Sequence, residues 1–223
     1  MKMKALALSA VAGSFILTGS ASAGLTGVSF AVVDLGATGG TTYRFYADFD
    51  DPADQLLAVS GNSNVSGFLM TTNTMLMNDG GPFAGTKNED FVFLGADWDS
   101  WVTIGASTFG TNDTDYSPGF LGSDGVSAVI VGSTLSQANN GGWFDSNPST
   151  AENGGHVLIA QFTVADVVGP GEAGDIEMHG TIDYNPAGNP PSSSEFFQVS
   201  TPAPGALALL GLAGLAGTRR RRR

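Results

Sequence analysis

The sequence predicts an all-β protein whose central part folds as a single antiparallel β-sandwich or jelly-roll-like domain. Several segments alternate apolar and polar residues with a period of two, which is typical of strands that bury one face. Clusters of Gly, Asn, Asp, Pro and Ser separate these segments, and no stretch keeps a helical apolar stripe for three turns. Roughly ten short strands joined by glycine-rich turns favour two packed sheets over an α/β or helical fold.

The alternation is clearest in residues 43–49 and 175–184, where apolar side chains occupy most of the alternate positions. Glycine- and asparagine-rich turns bound most of the other candidates. These further predicted strands are residues 28–33, 56–59, 67–71, 91–94, 98–104, 126–131, 157–164 and 196–199. The region 24–200 is long enough to bury one hydrophobic core, so we expect one domain there.

The first 23 residues predict a secretory signal peptide. Lys2 and Lys4 give a positive start, residues 5–17 form an apolar stretch, and Ala21 and Ala23 are the small residues of an A-x-A cleavage site. The alternative is a buried N-terminal helix, which would make the small residues at the end of this segment accidental. We therefore expect signal peptidase to cut after Ala23 and the protein to be exported.

The region between the two ends is strongly acidic. All 21 acidic residues lie between positions 24 and 200, together with two basic residues, Arg44 and Lys87, which gives a formal charge of −19. Such a surface repels nucleic acid and anionic lipid, and leaves cations, basic proteins or neutral polymers as partners. The chain has no cysteine, so the hydrophobic core must stabilise the exported domain without disulfides.

Two acidic segments are candidate calcium sites, because carboxylate-rich loops are what Ca²⁺ prefers. One holds four carboxylates within seven residues: Asp48, Asp50, Asp51 and Asp54. The other holds Asp113 and Asp115, with Asp124 further along; Pro118 stands where an EF-hand loop needs glycine, which excludes that motif. The alternative for both segments is that aspartate serves only solvation and turn formation. Ca²⁺ is the one cofactor we consider.

Candidate catalytic groups are few. The body has no nucleophile elbow, zinc-protease motif, Walker loop or dinucleotide fingerprint. His179 shares a predicted strand face with Glu177 and Asp183, which would suit a metal or acid–base role, but a solvated strand face explains it as well. Asp97 and Asp99 share a face and could form a glycosidase pair, although acidic pairs are common in this chain.

The tryptophans suggest a platform for sugar rings. Trp98 and Trp101 are three positions apart, so a regular strand places them on opposite faces, and Trp143 is the third candidate. Aromatic side chains in a sandwich more often fill the core. We expect Trp101 to be buried and Trp98 to be the exposed member of the pair.

The C-terminal residues 201–223 predict a targeting segment. Pro202, Ala203 and Pro204 precede twelve small or apolar residues at 206–217, and five arginines end the chain. As a helix, the apolar stretch would span about 18 Å, short of the ~30 Å hydrocarbon core. We expect transient insertion into the inner membrane, with the arginines held on the cytoplasmic side. A retained membrane anchor is the alternative.

The Pro-x-Pro pair, apolar stretch and basic end resemble, in that order, the PEP-CTERM sorting signal of Gram-negative bacteria. Ala203 stands where the motif that gives the signal its name has glutamate. The resemblance implies cleavage by an exosortase-like enzyme within residues 202–205. Segments 42–61, 99–105, 142–144 and 156–164 also resemble a family of exported PEP-CTERM proteins, to which we attach no activity.

The sequence therefore predicts an exported, non-enzymatic protein of the cell surface or extracellular matrix. Its expected partners are signal peptidase, an exosortase-like enzyme and, in an alternative function, extracellular polysaccharide. A carbohydrate- or calcium-binding surface module is the first alternative, and a secreted hydrolase is the second.

Overall fold

The computed structural model describes residues 24–37, 39–61, 68–72, 74, 76–77, 98–105, 113–116, 134–137, 142–147, 154–166, 176–188 and 191–201. These residues form two antiparallel sheets and contain no α-helix, which confirms the all-β, sandwich-like prediction. The strands are β1 (Leu25–Val33), β2 (Gly40–Phe49), β3 (Gln55–Ser60), β4 (Phe68–Thr72), β5 (Trp101–Val102), β6 (Thr114–Tyr116), β7 (Thr134–Gln137), β8 (Gly142–Asp145), β9 (His156–Ala165), β10 (Ile176–Asn185) and β11 (Ser193–Ser200).

The first sheet has the strand order β1-β2-β9-β5. β1 and β2 form a hairpin, and β2 pairs along its whole length with β9, which lies more than 100 residues later in the chain. The register shifts in this pair, because Phe45 opposes Ala160 while Tyr46 opposes Leu158. Ile159 is therefore an extra residue in β9, a bulge of the kind that increases local twist.

The second sheet is built around β10, which is paired along both edges. β11 takes one edge. β3 pairs with the C-terminal half of the other edge and β4 with its N-terminal half, so β3 and β4 lie end to end. β8 then pairs with β3, β7 with β4, and β6 with β8.

The hydrophobic core lies between the two sheets. Phe45 packs near Phe30 and Phe162 within the first sheet, with ring centroids 6.2 and 5.9 Å away. Phe49 of the first sheet meets Tyr184 of the second at 5.2 Å, so aromatic rings connect the layers. The alternate positions that face inward in β2 and β10 are apolar, which is why the two-residue period predicted these strands.

The outer face of the first sheet is covered by the chain around β5. Thr42 and Thr163 share a hydrogen bond of 2.7 Å on this face. The Thr163 hydroxyl also contacts the Trp98 carbonyl, and Gln161 donates to the Asp99 carbonyl at 2.8 Å. These polar side chains are buried because the segment from Trp98 to Ile104 lies over them.

Most of the predicted strands that fall on described residues are confirmed, with one correction. Residues 28–33, 43–49, 56–59, 157–164, 175–184 and 196–199 lie almost entirely within strands, and 67–71 overlap β4. Residues 98–104 contain only the two-residue β5, which pairs with β9; after it, Thr103 still donates its N–H to the Ile159 carbonyl of β9, but Ile104 donates its N–H to the Thr114 hydroxyl. The predicted strands at 91–94 and 126–131 lie outside the described residues.

Both ends of the described region are bonded into the sheets. The Gly24 nitrogen donates to Asp50, and Thr201 donates its backbone N–H to the Ile176 carbonyl at 2.8 Å while its hydroxyl accepts from the Ile176 nitrogen at 2.8 Å. Thr201, which the sequence placed in the tail, is thus part of the folded domain. No helix among the described residues is long and apolar enough to cross a membrane, and residues 206–217 lie outside them.

Candidate functional site

The first two carboxylates of the 48–54 segment face different partners. Asp48 ends β2 on the outer face of its sheet, where its Oδ1 lies 2.5 Å from Nδ1 of His156. The His156 ring stacks on Tyr46 with centroids 4.0 Å apart. Asp50 turns the other way and accepts a hydrogen bond of 2.5 Å from the Gly24 nitrogen.

The other two carboxylates shape the turn between β2 and β3. Asp51 accepts from the Ala53 nitrogen at 2.9 Å, an aspartate turn within the loop itself. Asp54 is 1% exposed, and its Oδ1 accepts from the Ala187 nitrogen at 2.7 Å, while its Oδ2 has no hydrogen-bond partner. The structure therefore directs the four carboxylates to separate places rather than to one point.

The second acidic segment lies beside a buried carboxylate on β8, Asp145, that sequence analysis did not single out. Asp113 precedes β6, and its carbonyl accepts from the nitrogen and hydroxyl of Ser146 at 2.9 and 2.7 Å. Asp115 opposes Phe144 across the β6–β8 pair. Asp145, 6% exposed, accepts from the Asn147 nitrogen through Oδ1, while its Oδ2 has no partner. Burial, and to a smaller extent the charge of Asp113, raises the pKa of Asp145.

Calcium binding at Asp48, Asp50, Asp51, Asp54, Asp113 and Asp115 stays a prediction. Within the described ranges there is no group of three or more His, Asp or Glu side chains that could hold a metal ion. Asp124 and Pro118 of the second segment lie outside those ranges.

The remaining acid–base candidates are dispersed. His179 is half-buried on the outer face of β10, with its ring 5.9 Å from Phe196. Glu177 on the same face accepts from Gln198 at 3.1 Å. Asp99 is 3% exposed and belongs to the segment around β5, and Asp97 is outside the described residues.

Two of the three tryptophans are core residues, so the sugar-platform prediction is wrong for them. Trp101 and Trp143 are 0% exposed, and Trp143 donates its indole N–H to the Thr103 carbonyl at 3.0 Å. Trp98 is half-buried. The predicted burial of Trp101 is confirmed, whereas Trp98, which was predicted to be exposed, is only half-buried.

The outer face of the second sheet carries two exposed phenylalanines that the sequence analysis did not single out. Phe144 on β8 and Phe196 on β11 are each 37% exposed. Directly opposed residues share a face, and the register places Phe196 opposite Thr181 and Phe144 opposite Ala58. Asp183, which opposes Ala58 on β10, shares this face. The strand order separates the two rings by β10 and β3, roughly 15 Å across the sheet at ~4.8 Å per strand.

Small polar side chains lie between the two rings. Asp183 accepts hydrogen bonds from the hydroxyls of Ser60, at 2.9 Å, and Ser194. Thr181 is 2% exposed, and its hydroxyl has no hydrogen-bond partner. We call the surface formed by Phe144, Ala58, Ser60, Asp183, Thr181 and Phe196 the phenylalanine face.

A separate pocket of about 490 Å³ lies at the turn of the β1–β2 hairpin. Val32, Leu35 and Thr41 are among the residues that line it, and of the described lining residues Asp34 alone has an ionisable side chain.

Comparison of the chain with protein-family models, with curated proteins and with solved structures finds no match. Its function is therefore argued from its own residues.

Proposed function

We propose that the chain is an exported, non-enzymatic β-sandwich of the cell surface or extracellular matrix, sorted through a PEP-CTERM-like tail. One observation supports the proposal: the two segments that the sequence predicts to be targeting signals directly flank the folded domain. The A-x-A site ends at Ala23, and Gly24 is already bonded to Asp50. The Pro-x-Pro pair begins at Pro202, directly after Thr201, which is 2% exposed.

The absence of a linker has a consequence for sorting. Cleavage within residues 202–205 would occur only a few residues from the edge of the second sheet. The domain would therefore stay close to the membrane until the tail is cut, and the five arginines would hold the chain in place by resisting translocation.

Removal of the tail is expected in the native cell. Intact-mass spectrometry of the protein purified from its own envelope or medium should give a species that begins at Gly24 and ends within residues 202–205. Replacing all five arginines at 219–223 with serine should weaken the membrane pause and release unprocessed protein. Replacing Arg44 with serine, which removes a basic side chain from the domain, is the control and should leave processing intact. A mature species that still carries the five arginines would contradict cleavage and indicate a membrane-anchored protein.

A second candidate function is binding of a neutral polysaccharide at the phenylalanine face. Exposed aromatic rings provide apolar area for the flat faces of sugar rings, and the Asp183 carboxylate and the hydroxyls of Ser60 and Ser194 can exchange hydrogen bonds with sugar hydroxyls. The formal charge of −19 for residues 24–200 favours a neutral polymer over an anionic one.

Substitution of the exposed rings tests this second function. A glycan array identifies the polymer, and calorimetric titration then compares Phe196→Ala and Phe144→Ala with the unchanged protein. Each substitution should weaken binding about threefold to tenfold, since one aromatic contact is worth ~0.5–1.5 kcal/mol. Val32→Ala is the matched control, because Val32 is 46% exposed but lies on β1 in the other sheet. Equal affinities for all four proteins would place the polysaccharide elsewhere.

A further inference from the structure

Gly24, the first described residue of the domain, is enclosed by neighbouring residues. It is buried, and its nitrogen lies 2.5 Å from Oδ1 of Asp50. The Asp50 nitrogen in turn donates to the Gly24 carbonyl at 3.1 Å. The residue is thus held from both sides by one aspartate at the end of β2.

The space around Gly24 admits no side chain. A Cβ built on it would lie 2.0 Å from the Tyr184 hydroxyl oxygen and 3.3 Å from Oε1 of Glu195. Its φ of +152° also belongs to a region that L side chains rarely adopt. Tyr184 donates to the same Glu195 oxygen at 2.6 Å, so a second carboxylate is fixed beside this position.

Signal-peptide cleavage after Ala23, which is part of the proposed function, would change the chemistry at this position. It would convert the Gly24 amide N–H, a neutral donor, into a free α-ammonium group. We propose that the α-ammonium of Gly24 docks on the Asp50 carboxylate, beside Glu195, and that processing thereby stabilises the mature domain. In a region with 21 acidic and two basic side chains, a new positive charge between two carboxylates also reduces self-repulsion.

The pairing gives the mature protein a defined pH dependence. An α-amino group ordinarily has a pKa of about 7.7–8.0, and nearby carboxylates raise it in the folded state. A raised folded-state pKa means that the stabilisation is fully present below pH ~8 and is lost as the pH rises through the higher folded value.

The pH range in which the α-amino group loses its proton is distinct from that of the neighbouring tyrosine. Among the described residues, those that face the amine are Asp50, Glu195 and Tyr184. Burial, assisted by the hydrogen bond to Glu195, raises the pKa of Tyr184 to about 12, above the range in question. Loss of stability between pH ~8 and ~10 would therefore report on the amine.

The test compares chains with defined starts, each running through Arg223. One begins at Gly24, released from a fusion by a protease that leaves no extra residue, and the other begins at Ser22. At pH 6.5 the chain that begins at Gly24 should melt about 2–4 °C higher, the shift expected from one moderate interaction in a domain of this size. Raising the pH through about 10 should abolish the difference.

Asp50→Asn in both chains completes a double-mutant cycle, because asparagine keeps the acceptor oxygen and removes the charge. The two chains should then melt at the same temperature. A melting difference that survives Asp50→Asn, or that is unchanged at pH 10, would overturn the docking and assign the effect to the extra residues themselves. Equal melting temperatures with Asp50 intact would overturn it too. Processing in the cell is decided separately by the mass of the native protein, so the two proposals fail independently.

Discussion

Replacing Trp101 with alanine is expected to lower the free energy of unfolding by about 3–5 kcal/mol, the usual range for a buried large aromatic side chain. Trp101 is 0% exposed and packs against Leu158 and Tyr46 in a small cluster apart from the main core. Through this cluster, the segment around β5 packs against the outer face of the first sheet. Because the segment covers polar side chains such as Gln161, its loosening would also leave buried hydrogen bonds unmade.

Trp98→Ala is the matched control, since Trp98 belongs to the same segment but is half-buried. Its contact with Thr163 runs through the backbone carbonyl, which alanine retains. We expect Trp98→Ala to lower the free energy of unfolding by about 1 kcal/mol or less, as most surface substitutions do. Urea unfolding followed by fluorescence of the remaining tryptophans measures both variants. Similar small losses for the two would show that the cluster around Trp101 does not stabilise the fold.

The strands that the sequence predicted well are those that bury one face over many residues. β2 and β10 each run for 10 residues, long enough for the two-residue period to emerge. β6, β7 and β8 have three or four residues each, too few to show any period. Residues 98–104 were predicted to form a longer strand than the structure contains. Their apolar side chains are buried, but strand pairing is confined to Trp101 and Val102.

The hydrogen-bond partners of the carboxylates could not be predicted from the spacing of the aspartates in the sequence, because those partners are distant in sequence. Asp48 meets His156, 108 residues away, and Asp54 meets Ala187, 133 residues away. Clustering within seven residues predicted a shared ligand, but alternation along β2 and the following turn send these side chains in different directions. The exposure of Phe196 could have been predicted from the sequence. Its neighbour Phe197 is buried, and the alternation of side chains along a strand therefore puts Phe196 on the solvated face.

Asp54→Ala is expected to lower the free energy of unfolding by about 1–3 kcal/mol, because it removes the hydrogen bond that the buried Asp54 carboxylate accepts from the Ala187 N–H. Ala187 lies in the Pro186–Gly188 turn between β10 and β11, with a φ of 48° that is unfavourable for a residue with a side chain. Asp54 therefore holds a strained turn at the C-terminal end of β10. Ala187→Gly, which relieves the strain, should recover part of the loss in the double variant.

Asp54→Asn distinguishes this role from the calcium site that the sequence predicted. Asparagine keeps an acceptor oxygen for the Ala187 N–H and removes the negative charge of the carboxylate, whose Oδ2 has no hydrogen-bond partner. We therefore expect the free energy of unfolding to change by less than about 1 kcal/mol at neutral pH. Melting is then followed with and without millimolar Ca²⁺, with Mg²⁺ and NaCl as controls for screening. If Ca²⁺ raises the melting temperature of the unchanged protein but not of Asp54→Asn, the carboxylate is a metal ligand and the purely structural role is wrong. If both proteins respond equally, Asp54 serves the turn, and any calcium site lies among the other carboxylates.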